Sequence, residues 1–422
     1  MNHIFKVFLI VFILTSTVFG QNQSKMQINL FQNNNFVHFL NSNKGGIYNN
    51  NLAKSNIVFF NSFTLKNFKN TNFNLLWLIN EEGIKFFDLH SKLSNDFINL
   101  KLGSFNNERI YKSPEFSSGS MVLSNNAEKI RGISINTNWI NIYNLFEIKT
   151  ELFHGKFPKQ PNYKGGPFLH YKSLLLKKDF DNLNLGFSIQ HAVQHGGYDQ
   201  NNEKIPATLR NYINVFFARA GDKSQPGQDQ AYKAGNGLGA FTLFLKKGNT
   251  KFYFEHYFDD KSGVKTLNFG DGLLGLEYFN EKILLNIERI DTTNQSGNQH
   301  PPGVDSYYYH DVYKFGWSNN GQTLGNSFIS PNSNRKIILN SNIKLVFEKL
   351  DFIFQYADAK VFIPYLSKNN NLPYENHNDI LEKNNYMMLG VERKINDFKK
   401  VSLFFGKEKN ISNFVLSYYL SL

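Results

Sequence analysis

A chain of 422 residues is long enough for two or three ordinary domains or for one large all-β barrel. It contains no cysteine, which excludes disulfides, thiolate metal sites and cysteine nucleophiles. Aromatic residues make up 16% of it and charged residues only 19%, with a net charge of +12. That mixture fits apolar and polar faces turned to different solvents better than it fits a cytosolic enzyme.

Residues 1–20, MNHIFKVFLIVFILTSTVFG, predict a cleaved secretory signal peptide. Lys6 is the positive n-region, Val7–Leu14 is an unbroken apolar stretch, and Val18 and Gly20 sit at the exit. The apolar stretch is too short to span a bilayer comfortably, which disfavours a membrane anchor. Gln21 follows the cleavage site, so lipoprotein processing is excluded. Residues 21–422 are then read as one unit. The basic balance of an exported chain favours polyanions such as acidic polysaccharide or lipopolysaccharide over nucleic acid. Lysines that merely keep loops soluble would give the same balance.

Past Gly20 no run of apolar residues is long enough for a transmembrane helix. Period-two alternation appears instead. It begins near Asn72 and continues with Ile98, Leu100 and Leu102 set against Asn99 and Lys101. It returns near Ile130, then at Phe146, Ile148, Thr150 and Leu152 against Glu147, Lys149 and Glu151. Leu183, Leu185, Phe187, Ile189, His191 and Val193 share the next face. Further cases start near Phe241, Lys251, Ile283, Ile343, Phe352 and Tyr386. The segments run to about ten residues and are separated by Asn/Gly/Asp/Lys turns, as at Asp179–Asn182 and Lys246–Asn249. The pattern predicts an all-β fold, a large transmembrane antiparallel β-barrel of roughly sixteen to twenty strands. A soluble sandwich or propeller would also alternate; the signal peptide and the C-terminus favour the membrane. The last strand, NFVLSYYLSL, lines up Phe414, Leu416, Tyr418, Leu420 and Leu422 on one face. Such an ending is what the outer-membrane insertion machinery reads.

One segment breaks the strand rule. In NEKIPATLRNYINVFFARAGD, Ile205, Leu209, Tyr212, Ile213, Phe216 and Ala220 recur at helical spacing, with Pro206 near the start and Gly221 past the end. This predicts a short amphipathic helix packed against or inside the barrel. Asp222–Gly237 and Asn294–Ser306 read as long loops, which on a barrel usually carry function.

Catalytic signatures are missing: there is no Gly-x-Ser-x-Gly elbow and no phosphate-cradling glycine loop. His191 and His195 share a face, but without a zincin glutamate a strand ending at the membrane interface explains them better than a metal. Asp259, Asp260 and Asp271 lie in FDDKSG and FGDGLLGLEY, where tight-turn chemistry comes first and sugar or ion contact second. The stretch Tyr307–Phe328, YYYHDVYKFGWSNNGQTLGNSF, gathers rings and side-chain amides with little charge. Carbohydrate recognition uses that combination, because sugar C–H faces stack on rings and hydroxyls need oriented donors and acceptors. An aromatic girdle at the headgroups would use the same rings.

Several colinear segments resemble the capsule-assembly, Wzi-like outer-membrane family. They are SSGSMVLSNNAEKI (117–130), GGPFLHYKSLLLK (165–177), HAVQHGG (191–197), TLRNYINVFFARAGD (208–222), FDDKSGV with GDGLLGLEY, and YYYHDVYKFGWSNNGQTLGNSFISP. The chain departs from the family at His195, where a Trp is usual, and at Leu422, where Phe is usual. The resemblance implies a barrel of about eighteen strands and a lectin-like, non-enzymatic role in retaining capsular polysaccharide. It directs attention to the aromatic–amide stretch and the acidic Ser-Gly stretch without naming the side chains that touch sugar; by residue type, Trp317, Tyr313, His310, Asn319 and Arg335 are the expected glycan contacts. Asp260 and Asp271 would be sugar acceptors or loop organisers. No cofactor and no metal is expected. The competing functions are a porin or sugar channel on the same barrel and an outer-membrane hydrolase.

Overall fold

The computed structural model describes residues 19–32, 37–47, 55–65, 68–105, 116–159, 164–231, 233–259, 268–296, 305–313, 315–365 and 380–421. The predicted signal peptide therefore lies outside the described residues except for Phe19 and Gly20, which begin the first strand. In chain order the barrel strands are β1 (Phe19–Phe31), β2 (Asn56–Leu65), β3 (Phe68–Asn80), β4 (Gly83–Ser94) and β5 (Ile98–Ser104). Next comes β6, interrupted, as Arg131–Thr137 and Ile140–Ile142, both pieces pairing with β7 (Phe146–Lys156). Then follow β8 (Phe168–Phe180), β9 (Leu183–His195), β10 (Asn236–Lys247), β11 (Thr250–Asp259) and β12 (Gly272–Phe279). The last six are β13 (Ile283–Asp291), β14 (Lys336–Val346), β15 (Leu350–Phe362), β16 (Ile380–Asn396), β17 (Lys399–Glu408) and β18 (Ile411–Ser421). Each pairs antiparallel with its sequence neighbour, and β1 pairs with β18 from Lys25↔Ser421 to Phe31↔Val415, closing 18 strands into a ring.

Closure leaves no backbone edge to satisfy in lipid, which is the condition for a sheet to span a membrane. The two faces are inverted relative to a soluble protein. Leu243, Leu274, Leu339, Phe352 and Leu416 point outward and are exposed, while Ser188, Thr242, Glu255, Glu288 and Asn342 point into the lumen and are buried.

The chain's two ends share one rim, and there the strands are joined by two or three residues, as at 95–97, 181–182, 248–249 and 280–282. At the other rim the connections 105–130, 196–235 and 292–335 are long. In bacterial barrels the short turns face the periplasm and the long loops face outside, which orients this one.

The scattered asparagines have two jobs. At the turns the Oδ1 atom accepts from the following backbone: Asn95 from Phe97 N (2.9 Å) and Ile98 N (2.7 Å), and Asn280 from Lys282 N (2.9 Å) and Ile283 N (2.7 Å). In the lumen they bridge strands, Asn29 to Asn56 at 2.9 Å and Asn342 to Asn286 at 3.2 Å, with Gln355 joining Asn342 at 3.0 Å. The amide side chain lets a wall face a polar interior without adding charge.

Among the described residues three short helices lie in outer loops: α1 (His38–Asn41), α2 (Leu209–Phe216) and α3 (Gly227–Ala231). The predicted amphipathic helix is α2, with Thr208 capping it by accepting from Asn211 N. It sits on the outside of the wall, against the outward faces of β7, β8 and β9, so it does not fill the lumen.

Candidate functional site

The lumen is filled from the outer rim by α1 and by the described residues of two loop segments, 116–130 and 305–335. They meet through the aromatic stretch. The Tyr308 hydroxyl donates to Met121 O at 2.7 Å and accepts from Asn326 N at 2.6 Å. Trp317 Nε1 donates to Val122 O at 2.8 Å, and Ser124 Oγ donates to Gly325 O at 2.5 Å. Gly325 has to be glycine, since a Cβ there would overlap the Met121 carbonyl and the Tyr308 hydroxyl. Met121, Val122, Tyr307, Tyr308, Trp317 and Ile329 are at most 1% exposed.

Two carboxylates of the wall pin this plug. Glu288 on β13 accepts from Ser117 Oγ (3.0 Å), Ser118 N (2.8 Å), Tyr253 Oη (2.7 Å) and Asn340 Nδ2 (3.2 Å). Glu255 on β11 accepts from Ser120 Oγ (3.0 Å) and Met121 N (2.7 Å). Both are fully buried, and charge-assisted bonds of this kind are stronger than neutral ones. Reading the sequence for surface sugar sites missed both. The signal was available: each is an acidic residue on the luminal parity of its strand, behind a mostly apolar outward face.

The residues singled out from the sequence fall into this framework. Trp317 and Asn319 are wholly buried, Asn319 donating to Glu128 O at 2.9 Å. Tyr313 is buried beside the half-buried His310, ring centres 5.3 Å apart, and burial holds the His310 imidazole down at about 4. Arg335 donates from Nε to Thr293 O at 2.8 Å and from Nη1 to Ile363 O at 3.3 Å, its guanidinium 4.1 Å from the Tyr365 ring centre. Asp271 is buried and accepts from Asn294 N (2.8 Å), Gln295 N (2.7 Å) and Tyr307 Oη (2.9 Å); burial pushes its carboxyl up to about 7. Its carboxyl thus holds the backbone of Asn294 and Gln295 and the Tyr307 hydroxyl. Asp260 lies outside the described residues. The structure thus gathers Trp317 and Asn319 in the plug, Tyr313 and His310 at its outer margin, and Asp271 and Arg335 at the base of one loop. Along the aromatic stretch Asp311 is exposed and Tyr309 and His310 beside it are half-buried, with the Tyr309 hydroxyl bonded to the Asp311 carboxylate.

Beneath the plug the lumen stays open. A cavity of about 930 Å³ opens at the periplasmic rim, with Lys25, Lys349, Lys394 and Lys399 around it, and Lys400 and Tyr419 within. A second space of about 290 Å³ shares Gln27, Val58, Lys400 and Tyr419 with it and reaches up to Phe39, Leu40 and Phe116 of the plug. Glu392 holds Lys400 at 2.8 Å and Lys344 at 3.0 Å in its wall. Among the described residues, no group of three or more His, Asp or Glu is arranged to hold a metal ion.

The closed wall and the filled lumen define the class: an 18-stranded outer-membrane β-barrel stoppered by its own loops. The family model of the capsule assembly protein Wzi matches residues 115–344, more than half of the chain, and the chain belongs to that family. Among solved structures it is similar to Wzi of Escherichia coli, a carbohydrate-binding β-barrel of the outer membrane involved in group 1 capsule assembly. That match has 12% identity and a TM-score of 0.65, over 98% of this chain and 87% of that one. OccAB4 of Acinetobacter baumannii matches at 9% identity with a TM-score of 0.46, over 96% of this chain and 98% of that one. No curated protein matches the chain in sequence. Family and fold assign the protein to the outer membrane of a Gram-negative cell.

Proposed function

We propose that the protein binds capsular or other acidic surface polysaccharide at its outer face and helps anchor or assemble the capsule, without catalysing a reaction on it. The observation that carries this reading is the plug. Segments 116–130 and 305–335, both within the span matched by the family model, are hydrogen-bonded to each other through their described residues, and the first is also bonded to Glu255 and Glu288 of the wall. A lumen stoppered in this way favours retention over conduction. The solved relative in Escherichia coli is itself a carbohydrate-binding barrel.

In this reading the aromatic stretch is a shelf with a half-buried edge. Tyr309 and His310 offer rings and polar atoms to sugar, while Trp317, Tyr313, Asn319, Arg335 and Asp271 fix that edge from beneath. Asp260 would be a further acceptor. The net charge of +12 favours an acidic glycan, an attraction that salt screens. Cleavage of residues 1–20 and delivery by the insertion machinery complete the proposed route to the membrane.

The test is calorimetry of detergent-purified protein with the source strain's own surface polysaccharide at low and high salt. Saturable binding is expected, weaker at high salt, and weakened about tenfold in the Tyr309→Ala/His310→Ala variant, as for the loss of one good ring contact. Absence of binding at either salt by a folded barrel would overturn the reading. Porin-size currents of the wild type in planar bilayers would put the channel reading in its place.

A further inference from the structure

Helix α2 has two unlike faces. Its inner edge, Asn211 and Val215, is buried against the outside of the barrel, where Val215 packs with Val193 of β9 and Ala234. Beside it the Tyr212 ring lies 5.3 Å from His154, 5.4 Å from His170 and 5.9 Å from His195, centre to centre. Those histidines belong to β7, β8 and β9, and the register puts His154, His170 and Val193 side by side on the outward face. Below them the same face turns apolar, with Leu152, Leu174, Ile189 and Leu243. The helix therefore lies at the outer end of the lipid-facing belt, covering polar side chains that would otherwise meet lipid.

Its other face is uncovered. Leu209, Ile213 and Phe217 recur four apart and are 76%, 42% and 60% exposed, three apolar side chains in one row. Arg210 and Arg219 are exposed beside that row, Arg219 lying 5.1 Å from the Phe217 ring centre. Asp222 is the acidic group that faces Arg210. Lys172 reaches over the Phe216 ring at 4.7 Å and donates to Phe216 O, closing the helix C-terminus with a cation. The outward faces of β7, β8 and β9 carry Lys156, Lys172 and Lys178 and no carboxylate.

We propose that α2 is an interfacial helix of the outer leaflet: Leu209, Ile213 and Phe217 enter the acyl boundary, and Arg210 and Arg219 take the phosphates of a phosphorylated glycolipid. An amphipathic helix lying in the plane of a bilayer binds through buried apolar area together with attraction to anionic headgroups. Long basic side chains can keep their stems in the apolar layer and their heads among the phosphates. The apolar row is exposed on the same outward side of the wall as the barrel's lipid-facing belt, which commits the surface to lipid. The inference goes beyond the polysaccharide reading and stands without it.

The experiment is native mass spectrometry of the full-length barrel with bisphosphorylated lipid A, dephosphorylated lipid A or phosphatidylcholine. Wild type should retain the bisphosphorylated lipid over the other two by about tenfold, a preference of roughly fivefold per arginine reduced by screening. Arg210→Gln/Arg219→Gln should lose that preference while keeping heat-modifiable migration, the sign of a folded barrel. Leu209→Ser/Ile213→Ser/Phe217→Ser should retain less of all three lipids. A wild type without preference, or an arginine variant that keeps it, would overturn the proposal. So would inorganic phosphate that displaces the lipid at millimolar concentration, because the site would then serve a free anion. If the serine variant fails to fold, Phe217→Trp in vesicles of brominated phosphatidylcholine decides: quenching supports insertion, and a solvent-exposed emission overturns it.

Discussion

The two halves of the lumen are walled by the same strands yet are held by different physics. In the outer half the polar wall meets another piece of the same chain, and buried donors find fixed acceptors: Ser117, Ser118, Ser120 and Met121 all end on Glu255 or Glu288. In the periplasmic half the wall meets open space, and its charges pair with each other, Lys344 and Lys400 with Glu392 and Lys394 with Asp351 at 3.7 Å. A carboxylate without water has to be satisfied completely, whereas one beside a cavity shares the task with solvent. The upper network should therefore be brittle and the lower one tolerant.

The largest effect is expected at Glu288. Glu288→Ala strands the donors of Ser117, Ser118, Tyr253 and Asn340 in a dry interior and should cost about 4 kcal/mol. Loosening should start at the plug, so bilayer recordings should show channel openings in the variant and closed traces in the wild type. Silent traces from a variant as heat-stable as the wild type would show that Glu288 does not hold the plug. Next comes Trp317→Phe, which keeps a ring in the same place but removes the bond to Val122 O at 2.8 Å. A loss of about 2 kcal/mol is expected in thermal unfolding, with glycan binding reduced only as far as the shelf softens.

The barrel was legible in the sequence because one rule, period two, repeats in every strand and reports which face meets lipid. The helix was legible for the same reason at another period, with Leu209, Tyr212, Ile213 and Phe216 recurring at helical spacing. Its position was not, since periodicity says that a face is apolar without saying what covers it. The site was harder still. Trp317 and Asn319 have the chemistry of sugar contacts, yet here they satisfy the backbone of other loop segments, Val122 O and Glu128 O. Rings and amides that bind sugar also bind peptide, and only the folded chain shows which partner arrives first. Residues 117–121 and Glu288 are about 170 positions apart in the chain, and no local pattern connects them.

A third difference between the halves can be read with acid. His38 of α1 stacks on Phe328 at 4.0 Å, near Tyr386, with Ser327 Oγ 3.3 Å from Nε2 and Glu408 accepting from its backbone N–H at 3.1 Å. Burial, with Lys336 nearby, lowers its imidazole from 6.5 to about 3. The unfolded chain then binds a proton below pH 6.5 that the folded chain refuses until about pH 3. Stability from this residue is full above 6.5 and falls through that window by up to ~1.4 kcal/mol per pH unit. His38→Phe keeps the stack and removes the titration, so the gap between the two proteins should move in the variant's favour as the pH drops. A gap that stays constant between pH 7 and 4 would mean that acid does not act through α1.

The smallest effect belongs to the lower half. Lys400→Met breaks the 2.8 Å pair with Glu392 and the contact with the Tyr419 ring at 4.4 Å. Lys400 is 32% exposed, Lys344 still holds Glu392, and Ser402 Oγ donates to it at 3.1 Å. The carboxylate keeps two partners beside a water-accessible cavity, so the loss should be about 1 kcal/mol or less, and smaller still in high salt. A cost near that of Glu288→Ala would mean that the lower lumen is as dry as the plug, and the contrast between the halves would fail.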